Sequence, residues 1–170
     1  LDAEKILSAR NDFLFFVKQV WPDFICRDAT EPSDWGHHQI IADKLNQVSE
    51  GKIKRLIINM PPRHTKSEFA SYLFPAWMMG LRPNAKLMQV SHNAELSFRF
   101  GRKVRNLVDS DEYKKIFSNV GLQQDSKAAG RWETSQGGEY FAAGVGGAIT
   151  GRGADILIID DPHTEQNVMS

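Results

Sequence analysis

Residues 53–67, "IKRLIINMPPRHTKS", constrain the fold more than any other stretch. The run from Ile53 to Met60 is apolar, rich in isoleucine, and bounded by Gly51 and by Pro61-Pro62, the composition of a buried strand. After the loop, "KSEFASYLFPAWMMG" carries a helical pattern, broken or kinked near Pro75 and ended at Gly80. The order is strand, loop, helix.

The same alternation recurs downstream. "AKLMQVS" reads as a second apolar strand, followed by an amphipathic helix in "HNAELSFRFGRKVRNLVDSD" with Asn93 as its cap. Residues 121–138 are polar and turn-rich, "EYFAAGV" resumes as a strand, and "GGAITGRGA" is a glycine-rich loop. "DILIIDDPHTEQ" is an apolar strand that delivers Asp160 and Asp161 at its carboxyl end. Upstream, "NDFLFFVKQV" reads as an apolar helix stopped by Pro22. "EPSDWGHHQIIADKLNQVSEG" places Ile40, Ile41, Leu45 and Val48 on one helical face, ending near Gly51. Strands alternating with helices predict an α/β domain with a mainly parallel central sheet flanked by helices. With 170 residues and 41% apolar side chains, the chain is expected to form one domain. About residues 1–50 form a helical lead-in and about 52–170 the core.

Two motifs carry chemistry. A nucleoside-triphosphate site needs backbone N–H groups at a helix start for the phosphates, a lysine for their outer oxygens and a hydroxyl for Mg²⁺. Lys66 and Ser67 stand where the last two belong, but Met60 and Thr65 occupy the two positions where the common loop pattern has glycine. Pro61 and Pro62 donate no N–H, so the cradle falls on Arg63, His64, Thr65, Lys66 and Ser67. Arg63 adds a fixed cationic fork near the terminal phosphate. Taken alone, the loop reads equally as an ordinary strand-to-helix turn. The acidic pair tips the balance: after a buried strand, the first carboxylate, Asp160, holds Mg²⁺, and the second, Asp161, orients or deprotonates the attacking water.

Other features narrow the class. Twenty-one basic residues balance twenty-one acidic ones, so net charge gives no footprint for nucleic acid. Arg99, Arg102, Lys103 and Arg105 form a basic helical side that reads as a solvated face more readily than as a contact to DNA phosphates. Cys26, the single cysteine, rules out an internal disulfide, fits a reducing cytosol and reads as a buried bystander. His37, His38, His64, His92 and His163 lack a metal-ligand spacing, and adjacent His37 and His38 are not expected to point the same way. Without a long apolar run or a leader, the chain reads as soluble and cytoplasmic, with no membrane partner. Starting without Met and stopping at "TEQNVMS", it reads as a piece of something longer.

On "WGHHQIIADKL", "PPRHTKSE", "KLMQVSHNAELSFRFGRKVRNLV" and "GVGGAITGRGADILIIDDP", in that order and spacing, the sequence resembles the ATPase domain of the large terminase subunit, the DNA-packaging motor of tailed bacteriophages and prophages. The resemblance implies a P-loop NTPase of the ASCE type that uses ATP and Mg²⁺ and works in a host bacterial cell. It implies double-stranded DNA, a portal protein and a small terminase subunit as partners, and a homo-oligomeric ring on the procapsid. Gln39 matches the family's adenine-reading glutamine, with Trp35 or His38 near the base. Arg63 matches the arginine that senses the terminal phosphate, Lys66 and Ser67 the phosphate and Mg²⁺ ligands, and Asp160 with Asp161 the acidic pair, where glutamate is commoner at the second position. Arg152 reads either as an arginine finger acting on a neighbouring subunit or as an ordinary loop arginine, such as a partner of Asp155, with Arg131 a weaker finger candidate. The resemblance further implies that a nuclease domain, absent from this chain, follows. It also implies that a later strand inserts between the two motif strands, leaving this sheet incomplete, marginally stable alone and slow in turnover.

Two rival readings stay open. A helicase-type ATPase shares the glutamine, the lysine and the acidic pair, but "DDPHT" replaces its usual "DExH" or "DEAD". The other is a degenerate nucleotide-binding or structural module that catalyses nothing.

Overall fold

The computed structural model describes residues 1–21, 23, 36–147, 149 and 151–163. Pro22, Cys26 and Trp35 lie outside the described residues, so the readings placed on them have no structural counterpart here.

Two short helices open the chain, α1 (Ala3–Asn11) and α2 (Phe13–Val20). Asp12 turns one into the other: it ends α1, and its carboxylate accepts from the Phe15 N–H to start α2. Asn46, on α3 (Gly36–Ser49), accepts from the Phe13 N–H and donates to Asp12, which ties α3 to that corner. Ile41 and Leu45 are buried, as the helical spacing predicts, but Ile40 is 62% exposed and does not belong to that face.

The expected strand at 53–60 does not form. Those residues alternate half-buried and exposed, with Leu56, Ile58 and Met60 against the core and Ile57 85% exposed, yet no strand of the described residues pairs with them. Composition gives a segment its extended shape and alternation, but a strand needs a hydrogen-bonding neighbour on at least one edge.

From Lys66 to Leu81 the chain is continuously helical. The irregularity expected near Pro75 is a π-helical segment, Glu68–Leu73, leading into α4 (Phe74–Leu81). Pro75 has no N–H to give to the Ser71 carbonyl one turn back, and the Phe74 N–H bonds instead to Phe69, five residues back. Gly80 is not the helix end: it lies within α4, where a Cβ would come 2.4 Å from the Phe117 ring.

The sheet order is β2-β3-β4-β1-β5, from β1 (Lys86–Ser91), β2 (Leu122–Lys127), β3 (Arg131–Thr134), β4 (Glu139–Gly144) and β5 (Ile156–Ile159). β1 pairs in parallel with β4 and β5, while β2–β3 and β3–β4 are antiparallel. The sheet is therefore mixed, which corrects the mainly parallel expectation. The correction comes from 121–138, read as turns: it folds as β2 and β3, with the return to β4 made at Gly137 (φ +83°). There the Thr134 hydroxyl accepts from the Gly138 N–H, and a Cβ on Gly138 would strike the Pro83 carbonyl at 2.2 Å.

α5 (Ala94–Val108), capped by Asn93 as expected, packs across β1 and β4, and α6 (Asp111–Ile116) follows it. Ser97 on α5 bonds Ser91 and the Ala143 carbonyl, and the Trp132 indole donates to the Gly101 carbonyl. By register the other face carries Met88, Val90, Phe141, Leu157 and Ile159, and the last two are more than half exposed. Among the described residues β5 pairs only with β1 and is an edge of the sheet. No helix of the described residues is long and apolar enough to cross a membrane.

Candidate functional site

The two motifs meet in space. Lys66 Nζ lies 2.6 Å from Asp161 Oδ1 and 3.4 Å from Asp160 Oδ1, across 95 positions of sequence. Asp160 is 6% exposed, and its second oxygen accepts from the Ser71 hydroxyl at 3.0 Å. The π-helical segment presents Ser71, itself fully buried, to the end of β5. Asp161 is exposed at its side chain but fixed at its backbone, because its carbonyl accepts from the His92 N–H at 3.1 Å while the Asp160 N–H bonds Val90. Burial alone would lower the pKa of the Lys66 ammonium. The hydrogen bond to Asp161 and the charges of both carboxylates outweigh that and hold it above the ordinary lysine value.

Backbone conformation marks the same place. The non-glycine residues with positive φ among the described residues are Arg63 (+66°), Thr65 (+62°) and Asp161 (+44°), all within the two motifs. Left-handed backbone costs a side-chain-bearing residue about 1–3 kcal/mol, and most of all a β-branched one such as Thr65. The loop thus takes glycine-type angles without glycine. Three contacts hold it there. His38 Nε2 lies 2.7 Å from the Thr65 hydroxyl, that hydroxyl donates to the His64 carbonyl at 2.6 Å, and His64 Nδ1 sits 2.9 Å from the Pro62 carbonyl. The Thr65 carbonyl in turn accepts from the Phe69 N–H at 3.0 Å, the first bond of the helix. Ser67 is already helical, and its side chain makes no capping bond.

The other candidates lie apart. Gln39 is exposed and its amide donates to Asp43 one turn along α3; His38 is the α3 side chain that bonds the loop. Against the expectation that adjacent His37 and His38 point apart, their rings come together, 3.8 Å between centres, and the His37 ring lies 6.0 Å from that of His64. Burial, with the charges of His37 and His64, lowers the His38 pKa to about 4. Among the described residues no group of three or more His, Cys, Asp or Glu is arranged to hold a metal ion. Mg²⁺ in phosphate sites asks less, taking one or two protein ligands and completing its shell from phosphate and water.

Arg152 sits on the sheet rather than beside Lys66. Its guanidinium lies 3.2 Å from Glu139 and 4.1 Å from the centre of the Phe141 ring. Arg131 shares Glu139 at 2.9 Å. Asp155, the partner considered from sequence, instead accepts the Lys86 N–H. On the basic helix, Lys103 is bound to Glu68 at 2.7 Å and lies over the Tyr72 ring, whereas Arg99 and Arg102 are exposed.

Sequence reasoning missed Ser71, the Glu139–Arg152 pair and the bond from His38 to Thr65. The one available signal was for Ser71, a small polar residue four positions after Ser67 in an otherwise apolar run, on the helical face that carries Ser67. Comparison of the chain with protein-family models, with curated proteins and with solved structures gave no match.

Proposed function

We propose that this chain is an ATPase domain that binds Mg²⁺-ATP on the loop from Arg63 to Ser67 and hydrolyses it. We further propose that it serves as the motor of a terminase packaging double-stranded DNA into a procapsid. One observation carries the ATPase reading: a lysine opening a helix, after a loop in left-handed conformation, ion-paired to two carboxylates at the end of a parallel strand. The terminase assignment rests on the sequence resemblance, as do the portal protein, the small terminase subunit and the ring.

The residues present fit the nucleotide. The N–H groups of Arg63 to Thr65 precede the helix and those of Lys66 and Ser67 open it, Lys66 is a cation a quarter exposed, and Ser67 and Asp160 offer oxygen ligands. Bound Mg²⁺ would supply charge neutralisation on the phosphate oxygens. Lys66 then exchanges its bond to Asp161 for phosphate oxygen. Freed, Asp161 orients water and accepts its proton. Asp160 stays fixed by Ser71. The strand-like alternation of 53–60 and the outer edge of β5, which has no strand partner among the described residues, also support the reading, since each could take up a further strand.

A second reading, nucleotide binding without hydrolysis, draws on Arg152, which is held by Glu139 and Phe141 of its own chain rather than extended as a finger. Titration with a fluorescent ATP analogue and Mg²⁺, with phosphate release followed in the same samples, separates the two. Saturable binding and phosphate release, both lost in Lys66→Ala, are expected. Binding without phosphate release, in wild type as in Asp161→Asn, supports the second reading, and binding unaffected by Lys66→Ala overturns the site. DNA-stimulated release is the mark of the motor.

A further inference from the structure

The glycine-free loop raises a problem the proposed nucleotide site does not solve by itself: what keeps a threonine in a backbone region that glycine occupies at little cost. Thr65 stands directly before Lys66, and its carbonyl takes the first helical hydrogen bond from Phe69. If Thr65 relaxes to negative φ, that carbonyl turns away and Lys66 loses its direction.

The contacts around Thr65 converge on one side chain. A threonine hydroxyl has a single proton, and here it goes to the His64 carbonyl at 2.6 Å. Its oxygen is then left to accept from His38 Nε2–H at 2.7 Å. The His38 ring is fixed from behind, with its centre 5.0 Å from that of Phe69 and the two planes 30° apart. Phe69 is fully buried and meets Phe13 edge-on at 5.7 Å. α3 supplies His38 and the core supplies its backing, so the loop is braced from outside its own sequence.

We propose that His38 is a positioning residue that holds Thr65 in its left-handed conformation, replacing by a side-chain brace the conformational freedom that glycine gives other phosphate loops. The inference rests on the proposed nucleotide site for its functional consequence, but the brace itself is a property of the loop. Its neutral state fits the role: burial and the flanking His37 and His64 disfavour a charged His38 ring.

The test is a double-mutant cycle on this chain. Wild type, His38→Ala, Thr65→Gly and the double variant are compared, with His38→Gln, which keeps a donor, as the conservative control. Two quantities are read: hydrogen exchange at the Phe69 amide, which needs no nucleotide, and affinity for the ATP analogue with Mg²⁺. His38→Ala is expected to speed Phe69 exchange and weaken nucleotide binding, each by about tenfold, the worth of one part-buried hydrogen bond. His38→Gln recovers part of both. In the Thr65→Gly background, removing His38 changes either quantity by less than about twofold, because glycine needs no brace. A His38 that merely supports the fold would lower the melting temperature equally in both backgrounds and leave no coupling, and that result overturns the proposal. If wild type binds no nucleotide, the proposed function fails while the exchange measurements still decide the brace. Unchanged Phe69 exchange in His38→Ala refutes it.

Discussion

The Ser71 hydroxyl donates to Asp160 Oδ2 at 3.0 Å, joining the π-helical turn to the end of β5 through two buried polar side chains. In Ser71→Ala the carboxylate keeps Lys66 and loses its second partner. A buried acceptor left unsatisfied costs about 1–3 kcal/mol. A lowered melting temperature is expected, together with a Mg²⁺ requirement for nucleotide binding shifted to higher concentration, because Asp160 is no longer aimed. Thermal unfolding and a Mg²⁺ titration read the two effects, and a melting point equal to wild type would show that the contact carries no weight.

Gly80 gives a prediction whose sign opposes the usual rule. Alanine for glycine inside a helix normally stabilises by about 0.5–1 kcal/mol. Here the added Cβ meets the Phe117 ring at 2.4 Å, and that ring is packed against Phe16 and Tyr113 with little room to yield. Gly80→Ala is expected to destabilise by about 1–3 kcal/mol, the cost of overpacking a core, while leaving nucleotide affinity unchanged. Chemical denaturation checks it, and a more stable variant would contradict the packing.

What the sequence made legible follows from where the physics was local. Asn93 as a cap, the helix through His38 and Leu45, and the strand delivering Asp160 and Asp161 are set by neighbours in the chain, and all three are observed. The segment 53–60 and the stretch 121–138 were misread in opposite senses, for one reason. Pairing partners decide a strand: β2 and β3 form in polar sequence because they pair with each other and β3 pairs with β4, whereas the apolar 53–60 has no partner among the described residues. Of the candidate site, the meeting of Lys66 with the acidic pair was anticipated. Ser71 was not, because its position depends on a π turn that Pro75 permits but does not announce. Nor was the His38 brace, which exists only once α3 has packed beside the loop.

His38 sets a pH dependence with a definite sign. Its pKa falls from 6.5 to about 4 on folding, first through burial and then through the charges of His37 and His64. Between those two values the unfolded chain binds a proton that the folded chain does not, so stability falls as pH drops from about 6.5 towards 4 and is insensitive to this group above 7. The ring is only about half buried, so solvent screening limits the size of the effect. Unfolding measured from pH 8 to pH 4.5 should show a shallower acid-side decline in His38→Gln than in wild type. Identical slopes would mean that the ring is not held neutral.

Asp161→Asn tests the relation between the lysine and the acidic pair. The Asp161 carboxylate, 2.6 Å from Lys66, competes with any incoming phosphate for the ammonium. Asparagine keeps the size and a hydrogen-bonding oxygen but removes the charge, so Lys66 is released at lower cost and nucleotide binding should tighten severalfold. The same change removes the group proposed to accept the proton of water, so phosphate release should fall by about 10²–10⁴-fold, the usual contribution of a general base. Opposite movements of affinity and turnover are not what a general loss of structure produces. Measuring both on one preparation therefore separates the two roles, and a parallel loss of binding and turnover would show that Asp161 mainly holds the loop together.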